Sequence, residues 1–346
     1  MNNTTDPTIT PTLDNKWVRY SWATYHLLVL FSSLIGDSLV LYASSCRKAL
    51  KVHPIIVTVI QHIAVSDLAV VLLRVLPRII SFFANSWILG DVTCSLTAYA
   101  NPVFFYAGTY FVAVLTTSKL LILKNPIGAV TWSRQRAHHV CSVFWVLSLL
   151  YPVFLHTAGS NLAHFDIRIY SCRYVTERWD TASLVLTYVL MVVPAVIIIG
   201  TTVPALRYLA LARQAARRAR GVDPWHGTLT VSLTAIFYLI SNFPLFVYYI
   251  CKHFFSKPDS ARLFRIGIYC LSINVVSNFY IYALTIRSFR RYLRSCWYSW
   301  LVRLGLRDTS GVLDKRGSAG QVTLRMLTKT TIISLRVQQS DDIVKK

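Results

Sequence analysis

Seven stretches of this sequence, at about 22–46, 54–81, 93–123, 137–158, 181–208, 228–252 and 262–285, are predominantly apolar and long enough to cross the hydrocarbon of a bilayer. The third reaches that length with its polar ends included. Hydrocarbon offers no hydrogen-bond partners, so the backbone of each stretch must satisfy itself. An isolated strand cannot do this, whereas a helix can. Loop chemistry separates the stretches: Arg47-Lys48, Asn85-Ser86, Asn125-Pro126 and Lys257-Pro258-Asp259. Composition points the same way. With 54% hydrophobic and 14% charged residues, the chain has too little polar surface to coat a soluble core of this size. The expected fold is an all-α membrane protein, a seven-transmembrane helix bundle.

The net charge of +22 would suit nucleic acid if it were spread over one face. Threading the chain through a membrane distributes it otherwise. With the N-terminus outside, the outer segments carry nine Lys/Arg against seven Asp/Glu, and Arg74 and Arg78 balance Asp37 and Asp67 within the membrane. Nearly all the remaining excess falls on the cytoplasmic side, as the positive-inside rule requires. That basic face suits an anionic leaflet and an acidic cytosolic partner, and it removes the case for nucleic acid.

The first apolar run is too long for a signal-peptide core and lacks a basic leader, so helix one is expected to act as its own signal anchor. Asn2 and Asn3 begin overlapping N-x-T sequons in the outer tail. Seven cysteines cannot all pair. Cys94 and Cys172 both fall in the oxidising compartment, and a bridge between them is expected. Cys46, Cys141, Cys270 and Cys296 fall in membrane or cytosol and are expected to stay reduced. Cys251 lies near the outer face without an evident partner.

Across about residues 20–305 the chain resembles the rhodopsin-like (class A) G-protein-coupled receptors. Gly36-Asp37-Ser38-Leu39-Val40 is similar to the family's GNxxV, and Ala64-Val65-Ser66-Asp67-Leu68 to its LAxAD. Trp87 to Cys94 is similar to WxFGxxxC. Trp145, Pro194 and Pro244 stand on the fourth, fifth and sixth helices. Asn278-Phe279-Tyr280-Ile281-Tyr282 is similar to NPxxY, with Phe289 following in an expected eighth helix. Cys94 precedes Lys119 by the family's distance from bridge cysteine to signalling arginine. The resemblance implies an extracellular tail (1–21), a receptor domain (22–286), an amphipathic eighth helix (287–304) and a cytoplasmic tail (305–346).

Departures fall on the switch. Ser118-Lys119-Leu120 replaces DRY, so the arginine that meets the G protein is a lysine, which keeps the charge but loses the planar fork. Ser118 cannot form the acidic lock that restrains that arginine. Ser241-Asn242-Phe243-Pro244 replaces CWxP, Phe279 replaces the proline of NPxxY, and Thr202 stands where a tyrosine is usual. Tyr238, Asn242, Pro194 and Pro244 remain as the expected activation switch, and Tyr282 joins the G-protein-coupling residues.

Asp67 is an intramembrane acid and a functional candidate on that ground. The resemblance implies a sodium ion there, with Asn274 and Asn278 at hand, Gly108 in place of a serine, and Asp37 as a neighbour. Two carboxylates in a poorly hydrated site do not both ionise freely. Either they share a proton or hold a cation, or Asp37 is protonated and hydrogen-bonds Asp67. Arg74 and Arg78, one turn apart, share a helix face. They line a ligand pocket for an anionic group or peptide terminus, or they snorkel to the headgroups. Snorkelling is the expected reading for Arg78, and both readings stand for Arg74.

Asn101, where amine receptors carry an aspartate, argues against a monoamine ligand. Ser272, where photopigments carry their lysine, excludes a retinal Schiff base. Phe105 and Phe243 complete the pocket candidates, and Pro102 is expected to kink helix three. Residues 165–175 alternate like a hairpin, which favours a peptide. Arg287 to Trp300 suits an interfacial helix, with Cys296 either palmitoylated or a plain membrane-facing thiol. Thr328, Thr330, Thr331 and Ser334 are candidate phosphosites for arrestin. No nucleophile–base pair, metal cluster or phosphate loop is evident, so no enzyme is expected. The reading is a receptor coupling an extracellular ligand to heterotrimeric G proteins; the alternative is a receptor-like decoy, dimer partner or arrestin-only protein. A transporter or channel lacks the inverted repeats and broken helices it would need.

Overall fold

A computed structural model describes residues 16–45, 52–125, 133–157, 163–167, 169–174, 181–218, 225–254 and 261–303. It is a helix bundle: α1 (Lys16–Ser45), α2 (Pro54–Val70), α3 (Leu76–Ala84), α4 (Asp91–Lys124), α5 (Arg134–Thr157), α6 (Thr181–Arg218), α7 (Trp225–Phe254), α8 (Ala261–Thr285) and α9 (Arg287–Arg303). A two-stranded antiparallel hairpin, β1 (Ala163–Asp166) and β2 (Ser171–Tyr174), lies between α5 and α6. Among the described residues six spans are long and apolar enough to cross a membrane, α2 and α3 together making one of them. The seventh, α5, begins with the basic run Arg134-Gln135-Arg136, which lowers its hydropathy.

The helix edges extend past the apolar stretches. α1 starts at Lys16 instead of residue 22, because Trp17, Tyr20 and Trp22 continue the helix beyond the hydrocarbon-length core. α6 runs to Arg218, carrying the basic segment beyond 208. Pro102 sits inside an unbroken α4. α2 and α3 are joined by a π-helical turn, Val71–Val75, just before Pro77. Proline has no N–H to continue the ladder, and a wider turn absorbs the mismatch.

α1, α2, α4, α6, α7 and α8 contact one another in a closed ring, and α5 packs outside it against α2 and α4. The inner faces are apolar, as in the cluster of Val29, Leu30, Val70, Val71, Val75, Ile79 and Val275. The outer faces are apolar too: Leu28, Val196, Ile240 and Leu284 are exposed. A soluble bundle would leave that surface polar; here lipid is its solvent.

Two contacts explain sequence choices. A Cβ at Gly36 would come 2.7 Å from Phe279 Cγ, so the glycine lets the phenylalanine of α8 lie against the backbone of α1. α5 is held through polar atoms: Trp145 Nε1 donates to His62 Nδ1 (3.2 Å), and His62 Nε2 lies 3.1 Å from His138 Nδ1. An indole N–H only donates, so the His62 hydrogen sits on Nε2 and His138 Nδ1 accepts it.

The bundle unit ends at Tyr292. The rest of α9 is a separate unit, in which Trp297 and Trp300 are exposed with ring centroids 5.3 Å apart.

Candidate functional site

One end of the bundle is built around the hairpin. Cys94, in the first turn of α4, is disulfide-bonded to Cys172 of β2, closing a separation of 78 residues. In the ladder Cys172 pairs with Phe165 and Arg173 with His164. Arg173 Nε lies 2.7 Å from Asp166 Oδ2. Tyr170 adopts φ 48°, an unusual conformation for a bulky residue, and is buried, with its hydroxyl donating to Asn85 Oδ1 at 2.7 Å. Asn85 ends α3 in the left-handed conformation that asparagine tolerates.

Beneath the hairpin stand Arg74 and Arg78, 7% and 2% exposed. Neither snorkels. The π-helical turn contains Arg74, and both guanidinium groups end up inside the bundle. Arg78 Nη1 is 3.4 Å from His26 Nε2, while His26 Nδ1 is 2.8 Å from Trp22 O. Trp22 stacks on Tyr269 with centroids 3.7 Å apart, and the Tyr25 hydroxyl donates to Tyr269 O at 2.9 Å. His26 and Tyr269 carried no distinctive sequence signal, and sequence reasoning missed them.

The other pocket candidates divide. Phe105 packs with Tyr106, Tyr151 and Met191 on one side and with Leu245, Tyr248 and Leu271 on the other. Ser272 is buried and donates to Ile268 O at 3.2 Å. Asn101 is half-buried on α4. Phe243 is 64% exposed and cannot line the interior. The neighbouring Asn242 takes the inward position, donating through Nδ2 to Tyr238 O at 2.8 Å, and adjacent helical residues point about 100° apart. Phe246, one turn on, packs against Tyr106, Tyr151 and Met191 instead. The Tyr238 hydroxyl is hydrogen-bonded to Thr109 Oγ1 of α4. Pro194 is buried on α6.

At mid-depth Asn278 Nδ2 donates to Asp67 Oδ2 at 2.9 Å. Asp37 Oδ2 accepts from Ser33 Oγ at 2.5 Å. The carboxyl groups are near enough to interact electrostatically, yet Asp37 takes its hydrogen bond from Ser33 instead of giving one to Asp67. Ser33 lies one turn before Asp37 on α1, a local partner that sequence reasoning overlooked. Asn274 is half-buried on α8, and Gly108 contributes no side-chain oxygen.

The opposite end centres on Lys119 of α4. A Cβ on Gly227, in the first turn of α7, would stand 3.3 Å from Lys119 Nζ. The glycine leaves the ammonium room that a larger residue would narrow. Ser118 is buried and Leu120 half-buried. His53, just before α2, is held below the ordinary histidine range by burial and by the Lys119 charge. Hydroxyl pairs tie the helices here: Thr230 Oγ1 to Thr285 Oγ1 at 2.8 Å and Thr201 Oγ1 to Thr116 Oγ1 at 2.9 Å. Tyr282 is buried. Asn2, Asn3, Cys46, Arg220 and the residues from Thr328 to Ser334 lie outside the described residues.

The model of the 7 transmembrane receptor (rhodopsin family) matches residues 36–297. The chain belongs to this family. The receptor is similar to melanopsin-B of Xenopus laevis (24% identical over 169 residues, 48% of this chain and 31% of that one). It is also similar to a human uracil nucleotide/cysteinyl leukotriene receptor (28% over 127 residues, 36% and 34%) and to the isotocin receptor of Catostomus commersonii (27% over 146 residues, 42% and 36%). The matched segments therefore span about a third of these curated relatives. Receptors of this family are not enzymes.

Proposed function

We propose that the receptor sits in the plasma membrane with its N-terminus outside and couples an extracellular ligand at the hairpin end to a heterotrimeric G protein at the Lys119 end. The observation that carries this is Lys119 itself: a cation near the end of α4, beside Gly227, with Ser118 before it where the family carries an acid. A ligand that favours a state with α7 swung away would uncover it, a population shift between two packings of the bundle. Lys119, Tyr282 and the basic segments around Arg207 and Arg134 would then meet the G protein.

The hairpin lid and the buried arginines support a peptide or a small anionic ligand, and the relatives include receptors named for isotocin and for uracil nucleotides and cysteinyl leukotrienes. A sodium ion belongs to the same reading. Asp37 and Asp67 would hold it, supplying a charge to offset two carboxylates. If so, Asp37→Asn removes the sodium dependence of activity; an unchanged dependence would leave Asp37 as a protonated neighbour. Ser272 leaves no amine for a retinal Schiff base. Glycosylation at Asn2 or Asn3, palmitoylation of Cys296 and arrestin recruitment by the tail extend the same reading.

A second reading, a receptor-shaped protein silent toward G proteins, is favoured by the same lysine, which lacks the arginine's fork. Ligand-free G-protein activation in cells decides between them, with wild type, Lys119→Ala and Lys119→Arg at equal surface expression. Basal activity lost in Lys119→Ala supports coupling. Silence in wild type with activity gained in Lys119→Arg supports the alternative.

A further inference from the structure

Two guanidinium groups lie inside the bundle, and among the described residues neither makes an ion pair. Arg74 and Arg78 are buried, and the Nε atoms of both lack any hydrogen-bond partner. The ion pair among the described residues is elsewhere, at Arg173–Asp166. Among the described residues the hydrogen-bonding neighbour of Arg78 is His26 Nε2 at 3.4 Å. His26 Nδ1 faces the carbonyl of Trp22 at 2.8 Å, so it carries the hydrogen, and Nε2 presents a lone pair to Arg78. That arrangement satisfies one N–H and neutralises no charge. Asp67, two turns below, acts on Arg74 through space but takes its hydrogen bond from Asn278, and one carboxylate does not offset two guanidinium charges.

Buried cations without a counter-charge in contact are among the most unfavourable arrangements a fold can hold. A cluster of this kind is stable when an anion completes it. A guanidinium fork matches the paired oxygens of a carboxylate, sulfonate or phosphate, which chloride does not offer. Around the arginines the surfaces are aromatic: Trp22 and Tyr269 stacked, and Phe82 against Tyr170 with centroids 4.5 Å apart.

We propose that Arg74 and Arg78, between α1, α3 and α8, form a binding site for an oxyanion, carried on an apolar or aromatic body. The proposal deepens the receptor reading by naming the chemistry of the ligand, and it rests on that reading only for its consequence in signalling.

The test uses the full-length receptor in nanodiscs, with its thermal unfolding midpoint followed against decanoate, inorganic phosphate, chloride at matched ionic strength, and decanol. Decanoate is expected to raise the midpoint, and chloride and decanol are not. A shift with decanoate alone identifies the acidic group of an organic ligand; an equal shift with phosphate identifies a free ion, and both support the site. Arg74→Met/Arg78→Met is expected to unfold at a higher temperature than wild type without anion, because apolar side chains replace unpaired buried charges, and to show no decanoate shift. Arg78→Lys keeps the charge, loses the fork, and should raise the half-saturating concentration more than about tenfold. No shift with either oxyanion, or a shift that persists in the double Met variant, overturns the proposal. Decanoate binding without any effect on G-protein activation would keep the site and remove its role as the signalling trigger. Lys119-dependent basal activity without oxyanion binding would keep the receptor and remove the site.

Discussion

The two ends of this bundle are held by different forces. At the hairpin end a disulfide fixes β2 onto α4, a Tyr170–Asn85 hydrogen bond fixes the turn before β2 onto the end of α3, and an ion pair ties β1 to β2. At the Lys119 end the described ties between helices are hydrogen bonds alone: the hydroxyl pairs Thr230–Thr285 and Thr116–Thr201, and Arg134–Gln61 and His138–His62 between α5 and α2. A neutral hydrogen bond contributes about 1 kcal/mol net, whereas a disulfide closing a long loop contributes several times that. The difference shows where the molecule can move. One end keeps its shape while the other has little to lose by opening.

The comparison breaks most visibly if the disulfide is removed. Cys172→Ser should destabilise the receptor by about 4 kcal/mol, given the length of the loop it closes, and lower the unfolding midpoint in nanodiscs by more than any variant at the Lys119 end. Next comes the seam between α1 and α8. Gly36→Ala places a methyl against Phe279, an overpacking cost of roughly 1–3 kcal/mol. Phe279→Ala in the same chain should recover most of the loss, read as a coupling energy in a double-mutant cycle. Thr230→Val removes one hydroxyl tie and should cost about 1 kcal/mol in stability while raising ligand-free G-protein activation. A fall in that activation would mean that the tie belongs to the active state. The smallest effect is expected at the hairpin ion pair. Asp166→Asn should cost under about 1 kcal/mol, fading as salt is added, because Arg173 is partly exposed.

Sequence patterning made the spans, their order and the Cys94–Cys172 bridge legible, since each rests on a strong constraint: bilayer thickness, backbone satisfaction and redox compartment. It placed Arg74 and Arg78 on one face, because i and i+4 share a face on any helix. It did not show that both turn inward. That depends on the π-helical turn before Pro77, which hydropathy does not register. Arg78 read as snorkelling because its depth was judged along an ideal helix. Phe243 read as a pocket residue from its neighbours in a motif, whereas rotation about α7 gives the inward position to Asn242. His26, Tyr269, Gly227 and Thr285 sit far in sequence from what they touch, and only packing pairs them. The same holds for His62 with His138, 76 residues apart. Asp37 was placed near Asp67, but its local partner Ser33 lay one turn away and takes its hydrogen bond.

The central claim is that the Lys119 end opens while the hairpin end holds. Fluorophores on noncanonical residues at Leu121 of α4 and Leu229 of α7 would report the distance between those helices in single receptors in nanodiscs. Addition of nucleotide-free G-protein heterotrimer should populate a state with the two labels farther apart, and Lys119→Ala should reduce that population. A distance that stays the same with the heterotrimer bound, or a separation that appears instead between labels on the hairpin and α3, would contradict the account.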